Sequence, residues 1–365
     1  MSRRKVLFYV HHLYYLPQFL PVARALTDED GFEVWFTAPR SGNALDYKLI
    51  ESVIRATDWQ FLSARNEKER RQAILKRNFA VTVFGKSSHI EKLCTPDTLA
   101  VLLYHGIGFK ACYYTDYNPR FDVRYVESDY RQTELQRRGI PTPTVVTGFP
   151  KLDLLFDRSL KEEYENKLRL VEAKPTVLYA PTFYPSSIEV FGEQVARQTA
   201  DCNLIIKLHH FAWLMPKYRH QARLCRSLAE NYAHVRIAEV NDYNIIPFFQ
   251  LSDLLLTEAS STAIEYLATG QPVILADFVK LRWKHRLFRR RFENQRMDNV
   301  IRQELDFAWH CTQPGDLKSV IHQALTRRES MRPLELEKRQ RLLGVVDGSA
   351  AHRVAADLKA RLNHR

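Results

Sequence analysis

Glycine is scarce, at 12 of 365 residues. None of these glycines builds a G-x-G-x-x-G or G-x-x-x-x-G-K-[ST] pattern, so neither a dinucleotide fingerprint nor a P-loop is supported. A G-x-S-x-G nucleophile elbow is absent too. The five cysteines, Cys94, Cys112, Cys202, Cys225 and Cys311, are scattered, odd in number and form no C-x-x-C pair. That usage points to a reducing compartment and to no zinc site, and no spacing of histidine with carboxylate suggests another metal. Long apolar runs are missing as well: nothing approaches the roughly 18 residues of a membrane span. The opening MSRRKVLFYVHHLYY has the basic start of a signal peptide, but Val6–Val10 is too short and His11-His12 interrupts it, so a first buried strand is expected.

What is present is apolar content, 45% of residues, and positive charge, a formal +12. The first supports sizeable cores in a chain long enough for about two domains. The second favours anionic partners such as nucleic acid, anionic lipid or phosphorylated substrates. No RRM, helix-turn-helix or zinc-finger pattern occurs, so nucleic acid is set aside.

Strand-like and helical segments alternate along the chain. Val6–Val10, Phe32–Thr37, Ala80–Phe84, Leu99–Tyr104, Asp122–Val126 and Thr144–Thr147 read as strands. Pro17–Leu26, Leu45–Ile54, Glu67–Lys76 and Asp129–Arg138 read as helices. This is the pattern of a doubly wound α/β domain over 1–154. A second α/β unit follows over 155–330. Its strands are Thr176–Tyr179, Leu204–Lys207 and Val235–Ile237, with helices Ser159–Leu170, Pro216–Asn231 and Tyr243–Gln250. Residues 331–365 read as C-terminal helices, the last striped by Ala351, Val354, Ala355, Leu358 and Leu362 behind Asp347-Gly348-Ser349.

The most informative stretch is Leu251–Asp277. Leu254, Leu255 and Leu256 form a short apolar run of the kind buried in a parallel sheet. Ser260, Ser261 and Thr262 are candidate N-caps, and Thr262-x-x-Glu265 fits a capping box. Gly270 then stops the helix and Pro272 opens a return strand, Val273-Ile274-Leu275. The turn lies at the carboxyl end of a strand, where open α/β sheets bind ligands. Free N–H groups and serine hydroxyls there suit a phosphate, while capping alone also explains them.

Three other strand ends are alike: His105-Gly106, Pro181-Thr182 and Lys207-Leu208-His209. Together the set suits a pyrophosphate and a proton transfer, with Lys207 neutralising charge and a neutral histidine accepting a proton. Singly, each histidine can be a structural hydrogen-bonding residue and Lys207 can point to solvent. The loop His11–Leu16 also joins a strand end to a helix; core packing accounts for its tyrosines and leucines, and a face toward an acceptor or lipid is the alternative. Lys280–Phe292 carries seven Lys/Arg, no acid, and interleaved Trp283, Leu287, Phe288 and Phe292. It reads as a solvated surface or as a contact for an anionic membrane or polymer.

Several of these residues fall in motifs that resemble the CDP-glycerol glycerophosphotransferases, the teichoic-acid primases and polymerases. Tyr104-His105-Gly106-Ile107-Gly108-Phe109-Lys110 resembles the family's W-H-G-T-x-x-K, and Gly148-Phe149-Pro150-Lys151-Leu152-Asp153 its G-Y-P-R-x-D. Tyr179-Ala180-Pro181-Thr182-Phe183 resembles Y-A-P-T-[WF], Lys207-Leu208-His209 resembles K-x-H-P, and Leu256-Thr257-Glu258-Ala259-Ser260-Ser261 resembles I-T-D-Y-S-S. Glu258, Ala259, His210, Ile107 and Lys151 depart from the family's usual residues.

The resemblance implies a GT-B fold, two Rossmann-like doubly wound α/β domains facing a cleft, with the donor mainly on the second. It implies His105 as general base and His209 as a second catalytic histidine that, with Thr182, Ser260 and Ser261, holds the donor phosphates. Gly106, Lys110, Lys207 and Glu258 join the substrate-binding set, and Glu265 meets the ribose. The implied partners are CDP-glycerol, a lipid-linked or polymeric glycan and an anionic membrane surface, with no cofactor. The implied location is cytoplasmic, on the inner face of the plasma membrane. A glycosyltransferase or epimerase using another nucleotide-activated sugar is the alternative reading.

Overall fold

Among the described residues thirteen short strands organise the chain, and seven of them are buried at every position, as parallel strands flanked by helices require. The structure, a computed structural model, describes residues 3–29, 31–40, 43–87, 90–108, 112–115, 117–283, 285 and 303–364. The described chain divides into two units. One holds residues 1–106, 112–154 and 344–365; the other holds 107–111 and 155–343.

The first unit is built on β1 Arg4–Tyr9, β2 Phe32–Thr37, β3 Gln60–Phe61, β4 Val81–Phe84, β5 Leu99–Leu103, β6 Val123–Val126 and β7 Thr144–Val146. All pair in parallel, in the order β3-β2-β1-β4-β5-β6-β7. The chain order reverses between β1 and β4, which opens a crevice at their carboxyl ends. Side-chain caps start the flanking helices: Asn43 accepts from Leu45 N at 2.9 Å, Asn66 from Glu69 N at 2.9 Å and Ser128 from Arg131 N at 3.3 Å.

The last helix, Ala350–Asn363, belongs to this first unit. Asp153 caps it from 197 residues away: its carboxylate accepts from Ala350 N at 3.1 Å and Ala351 N at 2.7 Å. Tyr125 donates to Asp357 at 2.7 Å further along. Gly148 has φ +84, and a Cβ there would meet Val345 O at 3.0 Å and Ala350 Cβ at 3.1 Å. The G-F-P-K-L-D segment is thus the seat of the C-terminal helix.

The second unit has β8 Thr176–Tyr179, β9 Asn203–Ile206, β10 Val235–Ile237, β11 Leu254–Thr257, β12 Val273–Ala276 and β13 Trp309–Cys311. They pair in parallel in the order β10-β9-β8-β11-β12-β13, with the reversal between β8 and β11. Two expectations need correction. The helix after β11 runs Ser261–Tyr266 with Ser260 as N-cap, so Glu265 is buried inside it and forms no capping box. The helix before β11 is Ile246–Leu251, not 243–250, because the Asn244 side chain accepts from Ile246 N at 3.0 Å and starts it. Among the described residues no helix is long and apolar enough to cross a membrane.

Candidate active site

The carboxyl edge of the second sheet collects the residues that follow β8, β9 and β11. Glu258, directly after β11, is buried and accepts from Thr182 N at 2.6 Å, Ser187 N at 2.6 Å and Ser187 Oγ at 2.5 Å. Tyr179 OH and Ser187 Oγ lie 2.7 Å apart and extend the network. Glu258 therefore pins the loop 182–187 to the sheet. Burial pushes its carboxyl above the usual range, against the pull of the bonds it accepts. Thr182 turns its hydroxyl to Pro185 O in the same loop. Thr257 Oγ1 donates to Ala180 O at 2.7 Å and lies 3.2 Å from Ser260 Oγ.

Ser260 and Ser261 are half-buried, and Ser260 makes no side-chain cap, so its hydroxyl does not occupy the first N–H groups of the helix. Gly108 counts with this unit, and a Cβ on it would come within 3.2 Å of Ile264 Cδ1 and 3.5 Å of Ser261 Cα. Its φ of +124 also demands glycine.

After β9, Lys207 is buried rather than solvent-directed, with Nζ 3.4 Å from Leu208 O. His209 caps the turn His210–Leu214: its Nδ1 accepts from Phe211 N at 3.1 Å. An imidazole whose Nδ1 accepts carries its proton on Nε2, which makes Nε2 a donor. The Phe183 ring packs on His209 at 4.7 Å.

The first unit gathers its own set at the crevice between β1 and β4. His105, after β5, sets Nδ1 3.1 Å from Gly85 O. A carbonyl only accepts, so Nδ1 carries a proton; in the neutral ring the lone pair is then on Nε2, 3.5 Å from Tyr113 OH. The Tyr15 ring stacks on His105 at 4.1 Å and 9°, and Tyr14 meets it edge-on at 5.2 Å. Core packing accounts for the loop 11–16: Leu13, Tyr15 and Leu16 are buried, and the Tyr15 ring forms the wall behind His105. Burial pushes the Tyr15 phenol well above its usual range, so it stays neutral. Gly106 lines a small cavity with Tyr104, Tyr113, Arg124, Glu127 and Arg131. Lys110 lies outside the described residues.

Sequence reasoning missed Lys86 and Asp46 here. Lys86, after β4, has Nζ 2.8 Å from His11 Nε2. His12 pairs with buried Asp46 at 2.8 Å, and Asp46 also accepts from Leu13 N at 2.9 Å. The dipeptide His11-His12 at a strand end was a usable signal; Lys86 had none, since only the sheet order places it beside His11. Among the described residues no group of three or more His, Cys, Asp or Glu could hold a metal ion.

The profile of the family described as CDP-Glycerol:Poly(glycerophosphate) glycerophosphotransferase matches residues 120–358. The chain belongs to this family. Two Staphylococcus aureus (strain NCTC 8325 / PS 47) proteins, the teichoic acid ribitol-phosphate polymerases TarL and TarK, are 29% identical over 155 residues and 30% identical over 156. Each match covers 38% of this chain and 26% or 28% of the relative, so the chain aligns with about a quarter of those polymerases. The wall teichoic acid polymerase TagF has a similar structure, with TM-score 0.72 at 15% identity over 99% of this chain and 89% of that one. A further TagF structure is a histidine-to-asparagine variant soaked with CDPG. A putative UDP-N-acetylglucosamine 2-epimerase from Listeria monocytogenes gives TM-score 0.62 at 14% identity, over 100% of this chain and 98% of that one. These likenesses identify the fold as GT-B-like, an α/β pair of doubly wound units.

Proposed function

We propose that the chain moves glycerol phosphate from CDP-glycerol to a hydroxyl of a lipid-linked or polymeric cell-surface glycan and releases CMP. The observation that carries this reading is the opposite proton placement on two strand-end histidines. His105 presents a lone pair on Nε2, as a general base needs. His209 presents an N–H on Nε2, as a phosphate ligand needs. The acceptor hydroxyl gives its proton to His105 as its oxygen attacks the β-phosphorus of the donor. The bond from that phosphorus to the bridging oxygen breaks, and CMP leaves with the electron pair. Catalysis is then mostly positioning and charge stabilisation.

In this reading His209, Lys207, Ser260 and Ser261 hold the donor phosphates, and Thr182 and Glu258 shape the loop beside them. Glu265 is assigned to the ribose, and Gly106 and Lys110 to the acceptor side, by the family resemblance. CDPG was the soaked ligand in the TagF variant, which supports the same donor here. We place the protein in the cytoplasm, on the inner face of the plasma membrane. Trp283, 71% exposed between cationic neighbours, supports a contact with an anionic surface.

A thermal-shift panel of CDP-glycerol, CDP-ribitol, CMP, UDP-sugars and ADP compounds tests the donor. A ligand at 100 times its Kd adds about 2.7 kcal/mol to native stability. CDP-glycerol and CMP are expected to give the largest shifts; a larger shift with UDP-sugars would favour the nucleotide-sugar alternative. Flotation with anionic vesicles tests the membrane, with Trp283→Ala expected to weaken binding and leave CMP affinity unchanged.

A further inference from the structure

The start of the basic run is not a loose surface segment. Arg282 donates its backbone N–H to Tyr184 OH at 3.0 Å, and its Nη2 donates to Tyr218 OH at 3.1 Å. The guanidinium lies 4.4 Å from the Tyr184 ring centroid and 5.5 Å from that of Tyr218, and both rings are buried. Three residues on, His285 Nδ1 is 2.6 Å from Tyr184 OH. Tyr184 belongs to the loop 182–187 that Glu258 pins to the sheet. Phe183 in the same loop touches Tyr218 at 5.2 Å and His209 at 4.7 Å, so one ring separates the Arg282 anchor from the phosphate-facing histidine.

We propose that Arg282 and His285 are donor-binding residues: a preset cationic clamp that takes the diphosphate of the nucleoside diphosphate beside His209. The inference deepens the donor assignment above and rests on it. A surface arginine on a solvated loop loses rotamer entropy when it grips an anion. Arg282 has lost much of that freedom already, because two phenols hold its main chain and one edge of its guanidinium. The residue is exposed, so its other N–H donors face outward from this platform. The fork geometry suits two phosphate oxygens. Tyr184 OH accepts from Arg282 N and lies 2.6 Å from His285 Nδ1, so one phenol anchors both residues. A guanidinium and an imidazole thus share an anchor one ring away from His209, and the chemistry they recognise is a pair of linked phosphates.

The test compares wild type, Arg282→Gln and His285→Gln by calorimetric titration with CDP-glycerol, cytidine and inorganic pyrophosphate. UDP-N-acetylglucosamine serves as the second nucleoside diphosphate. Loss of a bidentate charged contact is expected to weaken CDP-glycerol and pyrophosphate binding about 10–100-fold in Arg282→Gln. Cytidine binding should change less than twofold, and Arg282→Lys should recover only part of the loss. His285→Gln should weaken the same two ligands by less. Equal CDP-glycerol affinity in wild type and Arg282→Gln overturns the clamp and leaves the donor assignment standing. Wild type that binds UDP-N-acetylglucosamine instead, with the same dependence on Arg282, overturns the donor assignment and leaves the clamp standing. A wild type that binds neither nucleotide overturns both. If Arg282→Gln loses flotation with anionic vesicles at unchanged donor affinity, the residue is a membrane contact and the clamp is wrong.

Discussion

Tyr15 and His105 stack at 4.1 Å, 9° from parallel, although 90 positions of chain separate them. Gly85 makes the contact possible. Its carbonyl orients His105, and a Cβ on it would lie 2.5 Å from two carbons of the Tyr15 ring. One residue thus sets both the proton position and the plane of the imidazole.

Gly85→Ala should therefore disturb catalysis through geometry alone. Overpacking of this kind costs about 1–3 kcal/mol of stability. Turnover is expected to fall by at least tenfold while CDP-glycerol affinity stays within twofold, because the donor residues lie on other strands. Parallel denaturation and steady-state kinetics check this; unchanged turnover would separate the stack from the reaction.

The two histidines should fail differently. His105→Ala is expected to lose about 10²–10⁴-fold in turnover and to keep donor binding, as removal of a general base does. His209→Ala should weaken both, since it deletes the proposed phosphate ligand and uncaps Phe211 N. Calorimetry with CDP-glycerol alongside turnover distinguishes them. Full turnover in His105→Ala would remove it from the mechanism.

Glu258 gives a pH signature. Its folded carboxyl sits above the usual value of 4.5, chiefly through burial. A carboxyl raised on folding holds its proton more tightly in the native state. Its stabilising contribution is therefore complete below the unfolded pKa and is lost as pH rises through the folded one. Glu258→Gln removes that titration. The stability of wild type relative to the variant is expected to decline as pH rises from about 4 towards neutrality. Urea midpoints across that range measure it, and a difference independent of pH would contradict the assignment. Glu258→Ala should cost more, about 1–3 kcal/mol for the buried Ser187 N–H alone, because it and the part-buried Thr182 N–H lose their acceptor.

Asp153 tests the docking of the last helix. Asp153→Ala leaves Ala350 N and Ala351 N without their cap, a loss of about 1–2 kcal/mol. Donor affinity is expected to stay unchanged, since the contact lies within the first unit and the proposed donor residues belong to the second. Hydrogen exchange should rise first in 350–357; protection equal to wild type would show that the helix holds without the cap.

The alternation of strands and helices was legible in the chain because parallel strands covered on both faces must be apolar throughout. Leu99–Leu103 and Leu254–Leu256 of β11 are such runs, and their positions follow from side-chain chemistry alone. Shorter edge strands such as β3 and β13 carry little apolar signal and were found only in the structure. The motif order around His105, Thr182, Lys207, His209 and Ser260 was equally legible, and so was the family.

How those residues are held depends on partners that the sequence does not name. Sequence names a histidine but does not say which nitrogen bears the proton; Gly85 O and Phe211 N decide that for His105 and His209. Glu258 read as a ligand candidate until its acceptors were filled by Thr182 and Ser187, 76 and 71 residues away. Lys86 meets His11 because β1 and β4 are neighbours in the sheet, and Asp153 meets Ala350 because the last helix returns to the first unit. Local propensity and burial fix elements within a few residues of chain. Hydrogen bonds between strand ends depend on strand order, and strand order exists only once the sheets have formed.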